Sequence, residues 1–166
     1  MHVRTLAAAV VTTLGLAALS PAHAQAVRTD RNISLEAAVQ IAQGAVAACQ
    51  AMGHSVSATV VDRAGVVRAT LRADNATSST LGSAQAKAYT SAGLRTNSGT
   101  AMENAQKNPG AANLWQIPGV ILLAGGVPIR AGNEVIGAVG VGGAPAGSLD
   151  EQCANAGIDK VKDQLR

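Results

Sequence analysis

Between residues 134 and 143 the chain reads EVIGAVGVGG. Alternate residues of a strand share a face, so Ile136, Ala138, Gly140 and Gly142 stand together, tapering from a bulky side chain to none. Such a face requires close approach to the backbone, by either a packed helix or a ligand. The continuation, APAGSLDEQCA, opens a helix, which raises the question of a phosphate cradle. A dinucleotide fingerprint would place a third glycine after Gly140-x-Gly142, where Pro145 stands. A phosphate-binding loop would place lysine after Gly142 and Gly147, where Ser148 stands. Both motifs fail. Ser148-Leu149-Asp150-Glu151 reads instead as a capping box, with Ser148 as cap and Glu151 reaching back to it.

The 166 residues suffice for one domain. Arg4, the apolar stretch from Leu6 to Leu19, and AHA at residues 22–24 have the order of a secretory signal peptide cleaved before Gln25. The expected organisation is a signal at 1–24, a polar lead at 25–33 and a single domain at 34–166. The mature chain is then periplasmic or secreted, with no membrane span. Losing Arg4 takes the thirteen basic residues to twelve, against ten acidic ones. The basic residues are scattered along the sequence, and only Tyr89 and Trp115 could stack on bases, which argues against nucleic acid.

Ser34 caps a helix expected from Leu35 to about Met52, with Leu35, Val39, Ala42, Val46 and Cys49 as its inward stripe and Gly53 after its end. SVSATVV and VVRATLRA flank DRAG as a hairpin. Helices are expected over about 79–94, with Leu81, Ala84, Ala88 and Ala92 inward, and over 98–107. GVILLAGG reads as a central strand, and residues 127–143 as a hairpin turning at Gly132-Asn133. A last helix runs from about Leu149 to Gln164, and Trp115 is a packing anchor. The fold class is α+β, an antiparallel sheet of about five strands flanked by helices.

Three stretches resemble a known family. GVILLAGGVPIRAGNEVIGAVGVGGAPAGSLDEQCANAGI is similar to the C-terminal signature of the GlcG/HbpS-type haem-binding proteins. VVDRAGVVRATLRADNA resembles the family's first hairpin, and SAQAKAYTSAGLRTNS its middle helix. The resemblance spans Ser34 to the C-terminus. It implies a profilin-like fold, homo-oligomers, and a small-molecule site near the sheet edge and a subunit interface. Some members bind or degrade haem, and others accompany corrinoid or small-acid metabolism. Two departures stand out: Asn75 replaces a common glycine, and the acidic E-x-x-E iron motif of some secreted members is absent.

With haem as the implied cofactor, imidazole, phenolate and thioether are the axial donors to place. His54 is the only histidine left in the mature chain, and Tyr89 flanks the inward stripe of its helix; each is an axial candidate as well as a plausible structural residue. Met52 and Met102 read as core or helix-flank residues. Lys87 matches the family's KAYT lysine and either snorkels at the surface or meets a propionate or carboxylate. Arg72 and Asp74 lead into its helix, so Arg72, Asp74, Lys87, Tyr89, Gly140 and Gly142 form the candidate ligand set. No serine stands in G-x-S-x-G, and no histidine–carboxylate set has metal spacing, so no catalytic residue is assigned. A small-ligand or haem-binding module ranks first, ahead of a weak enzyme on a small carboxylate or carbonyl metabolite and a structural oligomer. Cys49 ends one inward stripe and Cys153 lies one turn into the last helix. In an exported chain they are expected to pair.

Overall fold

Ser34 starts the first helix, its Oγ accepting from the Ala37 amide at 3.2 Å, as the sequence predicts. A computed structural model describes residues 26–166, and the expected signal peptide lies outside the described residues. Helix α1 runs Leu35–Ala51. Gly53, at φ 81°, lets the chain turn away. The inward face differs from the expected stripe: Ala38, Ile41, Ala42, Ala45 and Cys49 are buried, whereas Leu35 is 55% exposed. Apart from Ile41 the buried residues of this face are small, because a second helix crosses there.

Strands β1 (Ser57–Asp62) and β2 (Val67–Arg72) make the first hairpin. The Asp62 carboxylate accepts from the amides of Ala64 and Val66, and Gly65 sits at φ 84°. Helices α2 (Ser79–Leu94) and α3 (Ser98–Lys107) follow. Strands β3 (Gly126–Ala131) and β4 (Glu134–Gly142) form the second hairpin around Gly132-Asn133, with Gly132 at φ 61°. Helix α4 (Gly147–Asp159) and a short 3-10 turn end the chain.

The sheet is antiparallel, in the order β2-β1-β4-β3. It has four strands rather than five, because GVILLAGG forms no strand of its own and only its last residue, Gly126, joins the sheet, at the start of β3. The groups that would have formed a ladder go elsewhere: the Ile121 amide donates to Thr90 Oγ1 at 2.9 Å, and the Leu123 carbonyl accepts from Ser98 Oγ at 2.6 Å. Gly119 and Gly125, both at positive φ, bound the run. It is a strap held by side chains.

Helices α1 and α4 cover one sheet face with the larger apolar cluster, which includes Ile41, Val60, Ile129, Val139 and Val141. Helix α2 covers the other, where Ala88 and Ala92 meet Val61 and Ala138. Leu81, expected inward, is 36% exposed. Helices α1 and α4 approach closely because neither carries a side chain at the crossing: a Cβ on Gly157 would collide with the Ile41 carbonyl, and one on Gly44 would lie 3.1 Å from the Gly157 Cα. Cys49 and Cys153 lie beside this crossing, Cα atoms 5.5 Å apart, joined as a disulfide across 104 residues of sequence. A loop of that length corresponds to roughly 4–5 kcal/mol in the chain-entropy description.

The tapering face of β4 receives helix α2. A Cβ on Gly140 would lie 2.5 Å from the Ala88 amide nitrogen, and one on Gly142 would lie 2.7 Å from Ser83 Oγ. Ile136 leaves that face and joins the larger cluster. Gly137 pairs with Ile129 and Val135 with Arg130, so Ile136 is the extra residue of a bulge, which breaks the alternation. Trp115 is no packing anchor, since it is 61% exposed in a 3-10 turn. No helix among the described residues is long and apolar enough to cross a membrane.

Candidate functional site

Lys87 is not a surface cation. Its side chain leaves α2 beneath the sheet edge, and its ammonium donates to Asp150 Oδ2 at 2.7 Å and to the Val141 carbonyl at 3.0 Å. Both side chains of the pair are about 95% buried. Gly125 makes room for them: a Cβ there would lie 2.9 Å from Lys87 Nζ and 2.8 Å from Asp150 Cβ. Asp150 also accepts from the Ala144 amide at 3.0 Å through Oδ1. One carboxylate in the first turn of α4 thus ties that helix to α2 and to the loop after β4, where the helix dipole favours negative charge. The capping box expected here does not form. The N-cap is Ala146, without a side-chain cap bond, and Glu151 instead accepts from Asn97 Nδ2, at the start of α3.

The pair forms the floor of a cleft of about 690 Å³ between the starts of α3 and α4, a size typical of small-molecule sites. Its apolar wall is Met102, Leu123 and Ala124, and its rim carries Thr100, Ser148, Glu103 and Glu151. Ala124 is wedged between the helix starts: a Cβ on Gly99 would lie 2.9 Å from its Cβ, and one on Gly147 would lie 2.6 Å from its carbonyl oxygen. Three carboxylates and one ammonium line the cleft, so its polar lining is acidic. Among the described residues no group of three or more histidine, cysteine, aspartate or glutamate side chains could hold a bare metal ion.

Of the ligand and axial candidates read from the sequence, Lys87 alone lines this cleft. Arg72 faces the α2 side in register with Ser57, but its guanidinium donates to the Ala76 carbonyl at 2.5 Å. Asp74 is exposed beyond the strand end. No bond joins either to Lys87, whose charge belongs to Asp150. Tyr89 lies elsewhere, its ring against Gly65 and Gly119, where added Cβ atoms would be 2.8 and 3.2 Å from ring carbons. His54 follows the end of α1, its amide donating to the Cys49 carbonyl. Neither borders the cleft. Gly140 and Gly142 are filled over by α2. Sequence reasoning missed Met102 as a cleft residue and Asp150 as the lysine's partner. Lys87 and Asp150 are 63 residues apart, and no local spacing links them.

The fold and cleft define a small α+β domain with a ligand-sized recess beside a buried ion pair. The chain belongs to the HbpS-like family: the family model described as "Haem degrading protein HbpS-like" matches residues 33–159. The crystal structure of HbpS is similar at 37% identity, covering 81% of this chain and 93% of that one, with a TM-score of 0.76. The Klebsiella pneumoniae protein ORFY superposes with a TM-score of 0.78 at 26% identity, over 84% and 97% of the two chains. A PduOC:heme complex shares the fold at 22% identity, with a TM-score of 0.69 over 78% and 94%. No curated protein matches the chain significantly.

Proposed function

We propose that the protein binds haem or a related tetrapyrrole, loosely, in the cleft between α3 and α4, at an interface between copies of the chain outside the cytoplasm. The observation that carries this reading is a recess of ligand size in a chain whose family model is haem-degrading, with a thioether and two aliphatic side chains on its wall. The residues present fit the ring of such a ligand. Haem supplies an iron centre for which thioether, imidazole and phenolate are ordinary donors, and Met102 is the donor that borders the cleft. His54 and Tyr89 are the comparison positions. Glu103 and Glu151 on the rim repel propionates and leave them to solvent. The acidic lining also disfavours the alternative, a small acid held by Lys87, because Asp150 already neutralises that ammonium.

An interface between copies is supported by the exposed apolar side chains of the segment that leads to the cleft wall. Trp115, Ile117 and Leu123 are 61%, 46% and 48% exposed, and Leu123 belongs both to this apolar segment and to the cleft wall. Exposed apolar patches of this kind mark association surfaces. The signal-like start and the Cys49–Cys153 disulfide support export.

Haemin titration followed in the Soret region tests the reading. Met102→Ala is expected to move the Soret maximum and weaken binding at least about tenfold, equivalent to ~1.4 kcal/mol, with His54→Ala and Tyr89→Phe close to wild type. Identical curves and spectra for all four proteins would show nonspecific binding, and the small-metabolite reading would then replace this one.

A further inference from the structure

The arginines that lie scattered in the sequence converge in the fold. Arg63 comes from the first hairpin turn, Arg95 from the end of α2, Arg130 from the end of β3 and Arg31 from the segment before α1. All four line a second cleft of about 500 Å³ beside Gly132 and Asn133. It lies where β4 begins, whereas the cleft described above lies beyond its end. Glu134 is the one carboxylate among its lining residues, and it takes Arg63 at 2.8 Å. Arg130 donates to the Arg95 carbonyl at 2.8 Å, and Arg31 to the main-chain oxygen of Arg166. These bonds hold Arg31, Arg63 and Arg130 around the cleft.

Arg95 is the informative member. It closes α2 in the left-handed region, at φ 55° and ψ 28°, the one non-glycine residue at positive φ among the described residues. Glycine is the ordinary occupant of such a position, because a Cβ crowds the following carbonyl there. Arginine therefore costs backbone stability at this point. Its guanidinium makes no hydrogen bond or ion pair among the described residues. What it contributes is charge, placed over a recess already lined by three other guanidiniums.

We infer that this arginine-lined cleft is a binding site for a small oxyanion carrying two or more negative charges, of the phosphate or pyrophosphate type. Guanidinium forks match such oxygens bidentately, and a recess shared by four of them favours a multivalent anion over a single carboxylate. The site is separate from the haem reading and stands without it.

Calorimetric titration of the purified full chain at low ionic strength tests it, with pyrophosphate, inorganic phosphate and acetate as probes. Pyrophosphate is expected to bind with acetate silent. Arg95→Gly, which relieves the backbone, and Arg130→Gln should each lower pyrophosphate affinity about tenfold, the loss of a bond to a charged group. Glu134→Gln should raise it. Amide resonances around Gly132 and Asn133 should shift on binding. Unchanged affinity in both arginine variants, equal binding of acetate, or shifts confined to the α3–α4 cleft would overturn the inference. Binding to phosphatidylglycerol vesicles without binding to free pyrophosphate would overturn it as well, in favour of a lipid surface.

Discussion

Lys87 and Asp150 meet at 2.7 Å with both side chains about 95% buried, joining helices on opposite faces of the sheet. Removing one member of such a pair leaves a charge without its partner in the interior, whereas removing both does not. Lys87→Met and Asp150→Leu are each expected to cost about 3–5 kcal/mol. The double variant Lys87→Met/Asp150→Leu should recover most of that loss. Urea unfolding of the four proteins measures the coupling. Additive losses would show the two groups to be energetically independent.

The disulfide makes a second, covalent test. Thiol titration of denatured, unreduced protein should find no free thiol, and reduction should lower the unfolding free energy by roughly 4–5 kcal/mol. Two thiols per chain would contradict the pairing.

Glycines at two helix positions should respond in opposite directions to alanine. Gly157 faces the Ile41 carbonyl at the α1–α4 crossing, whereas a Cβ on Gly82 in α2 meets nothing within 4 Å. Gly157→Ala should force the helices apart and destabilise by about 1–3 kcal/mol. Gly82→Ala should stabilise by about 0.5–1 kcal/mol, the helix-propensity gain. Thermal melts would distinguish them, and a stabilising Gly157→Ala would refute the close crossing.

Association through the exposed apolar segment from Trp115 to Leu123 predicts a change of mass. Trp115→Asp should shift the light-scattering mass toward the monomer and weaken haemin binding in parallel, because Leu123 joins the two surfaces. A variant that keeps the wild-type mass would place the contact between copies elsewhere.

The elements that announce themselves locally were legible in the sequence. The Ser34 cap, the Gly132-Asn133 turn and the sulfur pairing all follow from short-range chemistry and helix stripes. GVILLAGG misled because an apolar run states that a segment is apolar but not where its amides will bond. Thr90 and Ser98, distant in sequence, claim them. The α1 stripe was shifted for a similar reason: Gly44 and Gly157 bring α4 so close that Ala38 and Ala45 are fully buried beside Ala42 and Cys49, while Leu35 stays exposed. The candidate site was legible only at Lys87. Its partner and the cleft walls come from α3, α4 and the strap, and the arginine cleft is assembled from four segments with no shared motif.

The Cys49–Cys153 bond closes residues 49–153 into a covalent ring, with α1 and α4 as its clasp. All four strands and the exposed segment from Ala112 to Leu123 lie on that ring. A protease that cuts the exposed segment once therefore opens the ring without releasing a fragment. The nicked molecule keeps its full mass until a reductant reaches the sulfurs, which are fully buried. In surroundings rich in proteases and poor in thiols, a single cut in this exposed segment separates nothing.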